Sequence, residues 1–278
     1  MSKTWLITGA NRGLGRVFAN AALKRGDKVA ATSRSLAGLD DLVADYGDRI
    51  VPLQLDVTDR SACVSVVATA AERLGRLDVV VNNAGYGLFG MVEEVSEKQM
   101  RDQMEVNYFG LFNMTQAVLP LLRDQGFGHI VQISTVGGVM TFPGLGAYHA
   151  SKWAVEGLTD ALAQEVAGFG IKVSLVEPGP YMTDWAGNSA SHAQPIAAYD
   201  GLRNAMQARQ AQMPPAVYGE PEAAGPAMLK LVDADNPPLR LFLGVLPTMM
   251  VPDAYKARLA TWEEWKDVSV AATKVSHD

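Results

Sequence analysis

The sequence predicts a single α/β domain with three layers, α/β/α, built on a doubly wound parallel sheet. Three observations carry this. Short apolar runs alternate with longer amphipathic stretches along nearly the whole chain. Runs such as Leu77–Val81 are continuously apolar, as strands of a sheet covered on both faces are. A glycine string follows the first run and leads into a helical pattern.

The elements follow in order. Thr4–Thr8 reads as a strand, Leu14–Arg25 as a helix and Lys28–Thr32 as a second strand. A helix through Leu42 to Tyr46 leads to a third strand, Ile50–Leu55, and a third helix, Arg60–Leu74. Leu77–Val81 is the fourth strand, and Glu97–Leu122 carries one long helical pattern. His129–Ile133, the helix Ala147–Ala167 and Ile171–Val176 continue the rhythm. It weakens from Gly179 to Pro221, where Ala, Asn, Ser and Gln gather around Pro195, Pro214 and Pro215. That stretch, about 180–220, reads as an irregular, partly helical insertion over the site. Pro221–Val232 is helical, Leu239–Leu243 a last short strand, and about 252–270 a terminal helix.

Composition narrows the function. The 278 residues suit one domain of this class, 1–278. The formal net charge of -6, with no basic stripe, argues against a nucleic-acid partner. Cys63 is the only cysteine, and it falls in a helical stretch as a small packing residue. His129, His149, His192 and His277 lack metal-ligand spacing, so no metal is expected. The apolar run at Trp5-Leu6-Ile7 is too short for a signal peptide, and no segment approaches the ~20 apolar residues of a membrane span. The expectation is a cytoplasmic enzyme or binding protein.

The first strand runs into Gly9-Ala10-Asn11-Arg12-Gly13-Leu14-Gly15. Glycines there permit a tight turn and close approach of a pyrophosphate, and the following helix N-terminus offers free N–H groups. At the end of the second strand stand Ser33 and Arg34, with no acidic residue before Asp40. A carboxylate would bind a ribose 2′-OH, whereas Arg34, aided by Arg12, suits a 2′-phosphate. NADP(H) is therefore preferred to NAD(H), the competing reading being two solvated surface cations. Asp56-Val57 follows the third strand, where the carboxylate can take an adenine amino group or cap the next helix in competition with Asp59. Asn82-Asn83-Ala84-Gly85 follows the fourth strand, as ligand-facing groups or as turn formers.

Tyr148-His149-Ala150-Ser151-Lys152 opens a helix, which puts Tyr148 and Lys152 on one face with Cβ atoms about 5–6 Å apart. A protonated lysine there lowers the phenol's pKa from about 10 and makes Tyr148 a general acid or base. Ser134 and Thr135, at a strand end upstream, offer a hydroxyl for a substrate oxygen. Asn107, in Glu105-Val106-Asn107-Tyr108, falls at the entrance to a long helix, where a helix cap or a structural amide is the competing reading.

The set Thr8-Gly9-x-x-x-Gly13-x-Gly15, Asp56, Asn82-Asn83-Ala84-Gly85, Asn107, Tyr148-x-x-x-Lys152 and Pro178-Gly179 resembles the short-chain dehydrogenase/reductase family over nearly the whole chain. The resemblance implies a Rossmann-type fold, a water held by Asn107 in a relay to Lys152, and nicotinamide ribose binding by Lys152. It also implies a cradle for the nicotinamide amide at Pro178, Gly179 and Thr183. The family's serine position is Thr135 here, which leaves Thr135 as the favoured hydroxyl and Ser134 as the alternative. Tyr181–Pro215 resembles the variable substrate loop; Met182, Trp185, Met206 and Met213, with Phe89, Met91, Met140, Phe142 and Leu145, suggest a hydrophobic carbonyl or alcohol substrate. The segment Tyr86–Gly90 resembles hydroxysteroid and retinol dehydrogenases and bacterial carbonyl reductases. Homodimers or homotetramers through the Glu105–Arg123 and Ala147–Ala167 helices are implied as well. An epimerase or dehydratase with retained cofactor, or a nucleotide sensor without catalysis, are the competing readings. The sensor normally lacks the Tyr or the Lys, and both are present.

Overall fold

The computed structural model describes residues 2–273 except 184, 186, 188 and 189. His277 lies outside the described residues. The strands are β1 (Thr4–Ile7), β2 (Lys28–Ser33), β3 (Ile50–Gln54), β4 (Val79–Asn82), β5 (Leu88–Phe89), β6 (Gly128–Ile133), β7 (Ile171–Pro178), β8 (Ser191–His192) and β9 (Arg240–Leu243). The helices are α1 (Gly13–Arg25), α2 (Asp40–Tyr46), α3 (Arg60–Leu74), α4 (Glu97–Met104), α5 (Leu111–Gln125), α6 (Gly146–Val166), α7 (Asp200–Ala211), α8 (Ala224–Asp233), α9 (Val245–Glu264) and α10 (Lys266–Ala271).

Seven strands form one sheet in the order β3-β2-β1-β4-β6-β7-β9, and every pairing is parallel. Consecutive strand residues point to opposite faces, which divides the core in two. Trp5, Ile7, Val29 and Val81 pack with Phe18 and Leu23 of α1 and Met228 of α8. Leu6, Ala30, Val80 and Ile130 pack on the other side with Val67 of α3 and Met114 and Val118 of α5. This is the Rossmann-type, doubly wound single domain that the apolar runs predict. Cys63 is buried among the second set, and burial pushes its thiol up to about 11, so it stays a packing residue at neutral pH.

The order of strands reverses between β1 and β4, so the loops after them splay apart and open a crevice. At one edge, β3 pairs only with β2, and Pro52 stands opposite Ala31 within it. Proline has no N–H to donate, which an edge strand tolerates.

Three local features depart from the sequence reading. The long helical pattern from Glu97 is two helices joined by a π-helical segment, Glu105–Gly110, that carries Asn107. Widened segments of this kind re-aim side chains and recur at functional sites. The terminal helix begins at Val245 and runs straight through Pro252, which sacrifices one N–H donor without ending the helix. The insertion holds more order than its composition signals: β8 pairs parallel with β5, and α7 follows. No helix of the described residues is long and apolar enough to cross a membrane, and they hold no cluster of His, Cys, Asp or Glu suited to a metal.

Candidate active site

The crevice is a cleft of about 1400 Å³ at the carboxyl ends of the strands. Its floor begins at the glycine loop, where Gly9 and Gly13 take φ of 65° and 56°, conformations a side chain resists. α1 starts at Gly13 with no acidic residue in its first turn, leaving its N-terminus open to an anion. Gly15 does not face the cleft. A Cβ there would collide with the Asn83 amide and the Gly9 carbonyl, so Gly15 lets the loop pack against the β4 turn.

The two asparagines at the end of β4 have divided their work contrary to expectation. Asn82 turns away from the cleft, donating to Gln132 Oε1 at 2.8 Å and Thr115 Oγ1 at 3.2 Å in a buried polar cluster. Its assignment as a cofactor-facing residue is corrected: strand alternation sends residue 82 inward and residue 83 towards the loop. Asn83 lines the cleft and donates to the carbonyls of Thr8 at 2.9 Å and Gly9 at 3.1 Å, tying the glycine loop to β4. Ala84 and Gly85 line the cleft.

Asn11, Arg12, Leu14, Ser33, Arg34, Asp56 and Val57 line the same end. Arg12 and Arg34 are exposed, and neither has a carboxylate partner among the described residues. The nearby acidic start of α2 is held instead by Arg16, which pairs with Asp41. Asp59, not Asp56, caps α3 by accepting from Ala62 N at 3.0 Å. Asp56 holds Thr58, accepting from its N–H at 3.0 Å and its hydroxyl at 2.8 Å.

At the other end, Tyr148, Lys152, Thr135, Pro178, Gly179 and Thr183 line the cleft. Lys152 Nζ lies 6.0 Å from the centre of the Tyr148 ring and donates to the Ile133 carbonyl at 2.7 Å. Both side chains are almost wholly buried. Burial pulls the ammonium of Lys152 down to about 8, against the opposing pull of Glu156. Burial also raises the Tyr148 pKa, with partial relief from the Thr135 hydroxyl. The expected lowering of the phenol by Lys152 is thus not what the chain by itself displays: desolvation of the phenolate outweighs a charge held 6.0 Å from the ring and turned to a carbonyl.

Thr135 Oγ1 accepts from Gly137 N at 3.2 Å and donates to the Pro178 carbonyl at 3.4 Å. Ser134 also lines the cleft but is buried, its hydroxyl bordering Gly138 beside Glu156. Asn107 is fully buried behind the cleft wall. Its amide nitrogen donates to the Tyr86 carbonyl at 2.9 Å and Ser151 Oγ at 3.1 Å, and its oxygen accepts from Tyr86 N at 3.0 Å.

A family model described as short chain dehydrogenase matches residues 3–194. The chain belongs to the short-chain dehydrogenase family. Oxidoreductase BOA17 of Botryotinia fuckeliana is 40% identical over 273 residues, 98% of this chain and 100% of that protein. The crystal structure of a short-chain dehydrogenase from Streptomyces avermitilis superposes with a TM-score of 0.89 at 40% identity, covering 98% of this chain and 99% of that one. A short-chain dehydrogenase from Burkholderia cenocepacia in complex with NADP superposes with a TM-score of 0.75 at 26% identity over 95% of this chain and 97% of that one.

This short-chain dehydrogenase covers its cleft with aromatic residues that the sequence offered, joined by His192 and by a Glu94–Arg203 pair that it did not announce. Phe89 of β5 stacks on His192 of β8 with ring centres 5.3 Å apart, and Trp185 meets Phe89 at 5.4 Å and Tyr148 at 5.0 Å. Met91, Phe142, Leu145 and Met206 line the same side, whereas Met140 packs away from it against Val136, Val139 and Val251. Glu94 anchors the cover. It accepts from Met91 N and Ile196 N, both at 2.8 Å, and from Arg203 Nη1 of α7 at 2.5 Å. The Ile196 N–H first, then Arg203, hold its carboxyl down at about 2. Arg203→Met is expected to raise KM several-fold and change kcat less, because α7 loses its tether while the reacting groups stay put. Steady-state kinetics check this, and an unchanged KM removes the tether from substrate binding.

Proposed function

We propose that this protein is an NADP(H)-dependent oxidoreductase that interconverts a carbonyl and an alcohol on a hydrophobic small molecule. The observation that carries the reading is the convergence of Tyr148, Lys152 and Thr135 at one end of a cleft whose other end is a glycine loop, with an aromatic cover over the junction.

The glycine loop fits a dinucleotide. Its positive φ angles and the unblocked start of α1 suit a pyrophosphate, and Arg34 and Arg12 suit a 2′-phosphate. Asp56 is free of capping duty and available to an adenine amino group, while Pro178, Gly179 and Thr183 bound the nicotinamide end. Bound there, the cofactor supplies or accepts the hydride.

The protein's own residues handle the proton and the charge. Thr135 Oγ, standing on the Tyr148 side of the strand end, binds the substrate oxygen and shares its developing charge. Ser134 faces Glu156 and is the weaker candidate. In reduction, burial keeps Tyr148 protonated until it gives its proton to the substrate oxygen, and the Lys152 ammonium then stabilises the phenolate left behind. In oxidation the proton runs the other way. Asn107 spends both amide hydrogens on Tyr86 and Ser151, which fixes the wall behind Lys152 and leaves its oxygen able to accept from a relay water. The apolar cover excludes bulk water from this transfer.

The test is NADPH consumption over a panel of ketones, aldehydes, steroids and retinoids, with NADH alongside. Turnover of apolar carbonyls with NADPH favoured is expected. A tightly retained nucleotide with no net consumption across the panel would favour the epimerase or dehydratase reading instead.

A further inference from the structure

Behind the catalytic face lies a charged group that the proposed reaction does not use. Glu156 stands one helical turn beyond Lys152 on α6, Glu177 immediately precedes Pro178 in β7, and Arg240 opens β9. Arg240 Nε lies 3.1 Å from Glu156 Oε2 and 3.6 Å from Glu177 Oε1, and its Nη2 lies 2.9 Å from the half-exposed Asp160 carboxylate. The Glu177 side chain is 0% exposed, and among the described residues neither of its oxygens has a hydrogen-bond partner. Glu156 is nearly as buried, with Oε1 beside Gly138 and the Ser134 hydroxyl.

Arg240 closes on Glu156 and is shared with Asp160, whereas Glu177 is fully enclosed with, among the described residues, no hydrogen-bond donor to either oxygen, so it is the carboxyl least able to hold a charge. Burial and the neighbouring Glu156 push it up to about 8. Burial raises Glu156 too, but Ser134, Arg240 and Lys152 all pull it back. Glu156 is then the ionised member, held by Arg240 on one side and one turn from Lys152 on the other.

We propose that Glu156 is a positioning residue that acts through Lys152: its carboxylate keeps the lysine charged, while Arg240 holds that carboxylate in place and protonated Glu177 adds no rival charge behind it. The proposal rests on the role given to Lys152 above. The groups around Lys152 leave few alternatives. Tyr148 and Glu156 share its face of α6, the Ile133 carbonyl at the end of β6 accepts from it at 2.7 Å, and neutral Asn107 of the π segment borders Gly85 as Lys152 does; Glu177 of β7 and Arg240 of β9 stand behind Glu156. Among these, Glu156 is the one fixed negative charge that opposes the desolvation of Lys152. Without it, the amine would lose charge at a lower pH, and the Tyr148 phenolate would lose its counter-charge.

The test follows the 15N signal of the Lys152 amine by NMR through a pH titration of the full chain, assigned with Lys152→Ala. Glu156→Gln is expected to move the Lys152 midpoint down by about one pH unit, the scale of a lost opposite charge at this range. Glu156→Asp, which keeps the charge, should restore most of the shift. An unmoved midpoint in the Gln variant, or an equal shift in the Asp variant, overturns the proposal. A second measurement stands if Glu156→Gln does not fold. A carboxyl raised from 4.5 to about 8 in the fold costs stability as pH climbs through that window, because the unfolded chain ionises first. The Tm advantage of Glu177→Gln over the parent should therefore grow across that range, and a constant gap overturns the protonated Glu177. Neither readout needs turnover. If Tyr148→Phe retains activity, the catalytic reading fails by itself; if it loses activity and the Lys152 midpoint ignores Glu156, only the present proposal fails.

Discussion

Tyr148→Phe is expected to reduce turnover by about 100-fold or more, the usual range for removing a general acid–base group, while NADPH still binds. The substitution deletes one oxygen and keeps the ring, so the packing of Tyr148 against Trp185, with ring centres 5.0 Å apart, survives. It removes the one phenol that meets both the Thr135 hydroxyl and the Lys152 side of the cleft. The adjacent His149 does not replace it: its ring is turned aside, its Nδ1 accepting from Phe142 N at 3.4 Å, with burial pulling its pKa down to about 4. Kinetics on any substrate that the panel yields, with NADPH titrated by fluorescence, separate the two effects. Turnover like the parent's sinks the role of Tyr148; loss of NADPH binding with loss of turnover points to a damaged cleft.

Arg34→Asp is expected to weaken NADPH by roughly ten- to a hundredfold and NADH far less, inverting or erasing the preference. A hydrogen bond to a charged group contributes about 1.5–3 kcal/mol, and each 1.4 kcal/mol is a factor of about ten. Replacement by Asp adds repulsion to that loss. Arg34 is at the cleft, exposed and without a carboxylate partner among the described residues, so no ion pair competes for it. Arg16 holds Asp41 close by, which keeps that carboxylate engaged. Dissociation constants for both nucleotides decide the matter, and an unchanged ratio removes Arg34 from the phosphate site.

The sheet was legible because strands buried on both faces are written as uninterrupted apolar runs: Trp5-Leu6-Ile7 serves both cores with consecutive residues. The positions of Tyr148 and Lys152 were legible because four-residue spacing has one meaning on a helix. What was hidden depends on three-dimensional accidents of the same residues. Glu105–Gly110 contains no proline and reads as ordinary helix, so its π geometry left no mark. Asn82 and Asn83 look equivalent until alternation at the end of β4 assigns one to the core and one to the glycine loop. Glu94 and Arg203 are 109 residues apart, and nothing local says they meet. Glu177 lies just past the Ile171–Val176 run, and only the arrival of β9 beside β7 reveals a buried carboxyl against Arg240.

Pro52 has a consequence beyond the strand that contains it. β3 is the free margin of a seven-stranded sheet, and a long bare margin invites a foreign strand to extend the ladder. Pro52 interrupts the N–H donors in the middle of that five-residue strand. An incoming chain would find its hydrogen-bond register broken there, so β3 is a poor template for aggregation. Pro52→Val should fit the apolar neighbourhood of β3 and yet leave a chain more prone to associate through its sheet.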